Sequence, residues 1–328
     1  PTEPDIARMS HVVEDGLRSG ALGFSTSRTI LHRSVDRELV PGTTTTKEEL
    51  IGIGRAMGRV GYGVFEMASD LKRDWNEFEW MGELSRETGL PVTFAALQSI
   101  ADESGTAPKQ TAYSQAVREG RDFSAALFNA RGEMVAQGDF SPGHLGAMPS
   151  IVRHVMREYP AGSLEPGDAV ILNDLYMGSG HLPDFFITAP VFHGGRLVGF
   201  VVDCAHQVDV GGAQAGSQAV EGVTEFYQEG IRVLPTKLWR GGELNREVMR
   251  LITGNVRVPD IVEGDHKAMR NAARVGEMRL LDLFDRYGTE TVLAAWDDIL
   301  AHSEREMRAA IRQLPSVRYA AEDFYDDC

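Results

Sequence analysis

Between residue 1 and about residue 97 the chain repeats one alternation: a helix-period apolar pattern, then a short apolar run. Ile6, Met9, Val12, Val13 and Leu17 share one helical face, and Gly20 marks the stop. Ala21 to Thr26 follows as a strand. The Thr45-to-Glu48 spacing fits a capping box and opens a helix to about Val60. Val64 to Ala68 reads as a second strand, Asp74 to Thr88 as a third helix with Gly89 at its stop, and Pro91 to Leu97 as a third strand. Strands joined by helical crossovers are parallel and need cover on both faces. The expected architecture here is α/β, a partial (β/α)8-barrel segment of about three eighths of a full barrel.

After about Gln98 the pattern changes to antiparallel signals. Phe123–Asn129 and Glu133–Gln137 flank Ala130-Arg131-Gly132 as a hairpin. A short helix is expected to begin near Pro149, and a strand covers Asp168 to Asn173. Phe185–Phe192 and Arg196–Asp203 flank His193-Gly194-Gly195, a strong hairpin signal. The last third is helical: Asp265–Tyr287 aligns Met269, Ala273, Gly276, Leu280, Leu283 and Phe284, and Glu290–Leu314 aligns Val292, Trp296, Ile299, Leu300, Met307 and Ile311. Both stripes are expected to be core faces. This part reads as a mixed α+β domain with antiparallel hairpins and a helical C-terminal third, giving two units, 1–97 and 98–328.

Charge excludes some partners. With 33 basic against 48 acidic side chains the formal charge is −15, which disfavours nucleic acid or an anionic membrane held by charge. No run approaches the ~18 apolar residues of a membrane span. Cys204 and Cys328 are too few for a disulfide scaffold, which fits a reducing, cytoplasmic location. The acidic end, Glu322-Asp323 and Asp326-Asp327, reads as solvated. The chain opens at Pro1 and ends directly after a strand-like run, so a fragment of a longer protein is expected.

The constellation richest in chemistry is His181, Asp184 and His206. Counting back from a turn centred near Gly194 puts Asp184 opposite Cys204-Ala205, with His181 and His206 at the same open end. Two imidazoles and a carboxylate meeting there make a 2-His-1-carboxylate site. Asp174, Asp209 and Glu225 are placed to orient the imidazoles. The alternative on the same residues is strand-end capping histidines and a turn aspartate after Pro183. His144, after Ser141-Pro142-Gly143, and Asp209 are candidate catalytic residues, with a satisfied loop histidine as the other reading of His144. His193, His154 and His302 read as solvent-exposed, and Cys204 as a buried strand-end residue. Gly178-Ser179-Gly180 and Gly211-Gly212 do not sit between a strand and a helix, so no nucleotide loop is read.

Two resemblances follow. Gly20-Ala21-Leu22-Gly23-Phe24-Ser25-Thr26-Ser27, Pro41-Gly42-Thr43-Thr44-Thr45, Phe65-Glu66-Met67-Ala68-Ser69-Asp70 and Leu84 to Phe94 resemble the D-aminoacylase (N-acyl-D-amino-acid deacylase) amidohydrolases, zinc-dependent (β/α)8 barrels. That family's His-x-His is absent, and His11 and His32 stand alone, so residues 1–97 read as barrel wall without a metal centre. The remainder resembles the hydantoinase B/oxoprolinase family, which includes N-methylhydantoinase B subunits and a subunit of acetone and acetophenone carboxylases. The resemblance rests on Leu97 to Glu103, Arg121-Asp122-Phe123-Ser124, His144 to Pro149, Gly167 to Asp174, Gly180-His181-Leu182-Pro183-Asp184, Ala205 to Gly212, Phe226 to Arg232 and Leu251 to Asp260. It implies a divalent metal (Mn, Zn or Fe) on His181, Asp184 and His206, a cyclic amide or ketone as small-molecule substrate, and ATP handled only by a hydantoinase A-like partner subunit in a hetero-oligomer. The family has His-His where this chain has His206-Gln207, which bears on activity. The whole reads as a chimera, either a gene fusion or an artefact, with metal-dependent hydrolase chemistry in its second part and a zinc deacylase as the alternative.

Overall fold

The structure is a computed structural model that describes residues 1–29, 34, 36, 38–69, 77–94, 96–119, 122–138, 141–160, 162–217, 222–315, 320 and 322. His32, Cys328 and most of the acidic end lie outside the described residues.

The chain begins with α1 (Glu3–Arg18), β1 (Gly23–Arg28), α2 (Lys47–Val60), β2 (Val64–Ser69), α3 (Glu77–Thr88) and β3 (Val92–Phe94). The strands form a parallel sheet in the order β1-β2-β3. The helix cap falls one residue later than the capping-box spacing predicts: the Thr46 hydroxyl, not that of Thr45, accepts the Glu49 amide. Gly61 ends α2 in the left-handed conformation. Leu50, Ile53 and Met57 of α2 pack on Phe65, Met67, Trp80 and Leu84. Glu77 is buried and accepts from Arg28, Ser69 and Trp80, which ties both outer elements to β2.

The third strand is shorter than expected. It stops at Phe94, and α4 (Ala96–Thr111) begins where the sequence reading continues a strand through Leu97. Leu97, Ile100, Ala101 and Ser104 recur at helical spacing and are buried, but the polar run that follows hides the period. Next come α5 (Gln115–Arg118), β4 (Phe123–Asn129), β5 (Met134–Gln137), α6 (Pro142–Glu158), β6 (Ala169–Leu172), β7 (Asp184–His193), β8 (Arg196–His206), β9 (Thr236–Arg240), β10 (Glu243–Leu244), α7 (Arg246–Thr253), α8 (Pro259–Tyr287) and α9 (Thr289–Gln313). The helix expected near Pro149 starts at Pro142 and carries Pro149 inside it. The β9-β10 pair and α7 have no counterpart in the sequence reading.

Seven strands form one antiparallel sheet, β10-β9-β6-β7-β8-β4-β5. On one face Ala126, Phe128, Phe186, Phe200 and Val202 meet Leu145, Met148, Ile151 and Val155 of α6. On the other, Leu127, Phe185, Ile187, Val201 and Ala205 meet α4 and the Met269–Phe284 stripe of α8. Covering both faces explains why these strands read as continuous apolar runs rather than alternating ones. On α9 only Val292 and Trp296 are buried; Ile299, Met307 and Ile311 are exposed, so that stripe is not a core face along its length. His193 is not free in solvent either: its ring stacks on Phe284 and bonds Thr289 and Asp285. His302 is exposed and His154 half-buried. No helix among the described residues is long and apolar enough to cross a membrane.

Candidate metal centre

The β7-β8 hairpin sets the geometry. Gly194 and Gly195 both have positive φ, at 57° and 79°, the requirement of a two-residue turn matched to strand twist. His193 pairs with Arg196 and Phe192 with Leu197, but Val191 pairs with Gly199. Val198 is therefore an extra residue on β8, a bulge. It moves the register by one, so Asp184 faces His206 rather than Ala205. Directly opposed residues share a face, and without the bulge the His206 ring would point to the α8 side. A side chain at Gly199 would place its Cβ 2.3 Å from the Phe128 carbonyl oxygen on β4, so glycine is required beside the bulge.

Asp184 stands at the centre of three imidazoles. Its Oδ1 lies 2.8 Å from His181 Nε2 and 3.0 Å from His206 Nδ1, and its Oδ2 lies 3.3 Å from His144 Nε2. His181 comes from the loop before β7, where the Ser179 hydroxyl contacts the carbonyls of His181 and Asp184. Asn173 holds that loop by donating to the Leu182 carbonyl at 2.7 Å. His144 comes from the first turn of α6. Asp122, immediately before β4, brings a second carboxylate 3.5 Å from His144 Nε2 and 3.8 Å from His206 Nδ1. The ligand atoms of His181, Asp184 and His206 all lie within 4.8 Å of one another.

Burial by itself would raise the Asp184 carboxyl, but hydrogen bonds from His144, His181 and His206 outweigh it and hold the group well below the usual carboxylate range. The same contact with Asp184 raises His181 above an ordinary imidazole, against a smaller lowering from partial burial. His144 carries a further constraint. The Ser124 hydroxyl lies 2.8 Å from the Phe123 carbonyl, 3.2 Å from the Ser141 carbonyl and 3.2 Å from His144 Nδ1, and so holds the ring in place. Its Nε2 faces two carboxylates, Asp184 at 3.3 Å and Asp122 at 3.5 Å. Three imidazoles and two carboxylates converging on one space need protons or a cation between them. The donor set of three imidazoles and two carboxylates therefore fits a divalent ion.

The remaining candidates lie elsewhere. Asp209 is buried and bonds Gly211, Ser217 and both the backbone and the guanidinium of Arg257. Asp174 holds Arg232 and the Tyr176 amide. Glu225 is exposed and caps the turn at 226–228. None of the three bonds an imidazole of the centre in these contacts. Gln207 is buried on the α8 side, with its amide nitrogen 3.8 Å from Met269 Sδ. The departure from His-His thus points away from the cluster. Cys204 is buried and its thiol is pushed well up by burial. Asp122 and Ser124 were missed as site residues, although Arg121-Asp122-Phe123-Ser124 stood out in the sequence; their role depends on β4 lying beside β8.

The sequence profile of the hydantoinase B/oxoprolinase family matches residues 87–328. An uncharacterized protein of Methanocaldococcus jannaschii is 37% identical over 227 residues, 69% of this chain and 40% of that protein. The caprolactamase subunit beta of Pseudomonas jessenii is 34% identical over 239 residues, 73% of this chain and 41% of that subunit. The crystal structure of the ATP-dependent caprolactamase from Pseudomonas jessenii superposes with a TM-score of 0.62 at 31% identity, over 67% of this chain and 38% of that one. The chain spans about two fifths of the length of these relatives.

Proposed function

The chain belongs to the hydantoinase B/oxoprolinase family, and on that premise we propose that it carries the metal centre of an ATP-dependent enzyme acting on a cyclic amide or a ketone. The observation that carries this reading is the convergence of the His181, Asp184 and His206 ligand atoms within 4.8 Å of one another. His181, Asp184 and His206 would hold the ion, with His144 and Asp122 within reach as further ligands. A divalent Mn, Zn or Fe bound there would polarise a substrate carbonyl or lower the pKa of a bound water.

The chain's own residues have separable tasks. Asp184, only 9% exposed, fixes three rings at once. Ser124 Oγ, 3.2 Å from Nδ1, orients the His144 ring. His181 and Asp122, 41% and 44% exposed, form the open side from which a substrate would enter, and Asp122 is placed to accept a proton there. The ATP-dependent step belongs in this proposal to a hydantoinase A-like partner subunit, in keeping with a relative named as a beta subunit. The test is metal analysis of purified protein together with an ATPase assay. About one divalent ion per chain, and no ATP hydrolysis without a partner, is the expected result. Absence of bound metal after reconstitution with Mn, Zn and Fe would end this reading.

A second reading concerns residues 1–97 as a unit apart from 98–328. The parallel β1-β2-β3 sheet and the separate core around Phe65 and Trp80 are what a piece of a D-aminoacylase-type barrel would contribute in a fusion. A deacylase assay on N-acyl-D-amino acids with added zinc tests it, and no turnover is expected because the barrel's His-x-His is lacking.

A further inference from the structure

The α8 face of the sheet carries a trench that the metal centre does not use. It has a volume of about 490 Å³ and runs between one face of α8 and the turns at Gly167 and Gly242. Lys267, Arg270, Asn271, Arg274 and Glu277 line it along the helix, and Trp239 closes the far wall. These helical positions follow the i, i+3, i+4, i+7 repeat of one surface. They bring three cations against one acid, in a chain with 48 acidic and 33 basic side chains. The local charge therefore runs against that of the whole molecule.

The cations are incompletely matched. Arg270 lies at the floor with a side chain 7% exposed. Its Nη2 donates to the Gly167 carbonyl at 3.3 Å. Its Nη1 is 3.8 Å from Glu277, beyond a hydrogen bond, and has no bonding partner among the described residues. A buried guanidinium compensated this loosely leaves a positive field in the space above it. Arg274 is exposed at the mouth and forms no ion pair among the described residues. Lys267 is half-exposed and, among the described residues, pairs with Glu263 on its own helix. Asn271 adds an amide donor at the rim. Arginine forks match carboxylate and phosphate oxygens geometrically, and Trp239 lines the opposite side with apolar surface.

We propose that this trench is a binding site for a small oxyanion, a carboxylate or a phosphate monoester. Its charged head sits over Arg270 between Lys267 and Arg274, and its body lies against Trp239. The inference does not depend on the metal reading, because the trench and the His/Asp cluster lie on opposite faces of the sheet.

The test is calorimetric titration of metal-free protein with inorganic phosphate and, separately, with succinate, at constant ionic strength. Metal-free protein keeps anions from binding through an ion at the other site. Saturable one-to-one binding with a Kd of about 1 mM or tighter is expected for at least one of the two, and which one binds distinguishes the phosphate source from the carboxylate source. The Lys267→Ala/Arg274→Ala double variant removes two solvent-accessible side chains and is expected to fold normally. It should weaken binding by about tenfold or more, the scale of losing a charge-assisted hydrogen bond. Arg196→Ala, a surface cation at the β7-β8 turn, should leave binding unchanged. No saturable heat with either anion, or undiminished binding in the double variant, overturns the proposal.

Discussion

Asp184→Asn is the sharpest perturbation of the centre, because it keeps the shape and removes only the charge. In the native chain one carboxylate oxygen serves two imidazoles at 2.8 and 3.0 Å and the other a third at 3.3 Å. An amide offers one weaker acceptor and presents a donor to the other side. Losing even an outer-shell partner of a metal ligand typically costs about 10–100-fold in affinity, so losing the central charged ligand should cost at least ~100-fold. With the ion at about 100 times its Kd, binding stabilises the native chain by ~2.7 kcal/mol. A 100-fold weaker site at the same concentration gains only RT ln 2, about 0.4 kcal/mol. The difference, ~2.3 kcal/mol, is a melting shift on the order of 5 °C. The assay is thermal unfolding of both proteins in chelator and in added Mn or Zn. The metal-free forms carry a second readout. Since the folded Asp184 pKa is depressed, its carboxylate contributes its full stability above the unfolded value near ~3.9 and loses it progressively as pH falls from there through the lower folded value. The gap between the metal-free proteins should therefore narrow as pH falls below about 4 and close in strong acid. An equal metal-induced shift in both proteins would refute the reasoning.

Four further outcomes are expected. Ser124→Ala removes the hydroxyl that orients the His144 ring and should weaken metal affinity by about 10–100-fold with little change in metal-free melting. His181→Ala should abolish stoichiometric metal, measured by mass spectrometry, while the circular dichroism of the fold is retained, because His181 lies outside the β7-β8 ladder. Gly199→Ala, with its Cβ 2.3 Å from the Phe128 oxygen, should cost ~1–3 kcal/mol in urea unfolding and lower metal affinity through the altered register. Asp203→Asn should gain stability relative to the native chain as pH rises from about 4. Burial holds the folded Asp203 pKa well above its ordinary value, so the native chain loses stability over that range and the variant does not; a variant less stable at pH 8 than at pH 5 by the same comparison would show Asp203 ionised against Arg270.

The sequence marks what is local. Helix-period stripes end at Gly20, Gly61 and Gly89, and each is a helix stop with positive φ or beside one. Gly194-Gly195 requires a tight turn, and the turn is there. Where the pattern is short or interrupted by polar residues, as over Gly105 to Gln110 in α4 or the brief β9-β10 pair, no period survives to be read. The exposed half of the α9 stripe shows the converse: an apolar period states a capacity to be buried, and the partner that buries it is not local information.

For the centre, His181, Asp184 and His206 were legible as residue types at the ends of a hairpin. Their exact facing partners were not. Counting from the turn puts Asp184 opposite Cys204-Ala205, and the bulge at Val198 brings His206 across from it. That bulge answers to packing from outside the hairpin, where the Phe128 carbonyl of β4 and the Trp296 ring of α9 crowd Gly199. Asp122 and Ser124 joined the centre by the same route, through β4 lying beside β8. The chain by itself determined the turn and the ligand types, because those depend on φ and on side-chain chemistry within a few residues. The tertiary structure alone decided which face His206 takes, because a strand's register is fixed by what packs against it.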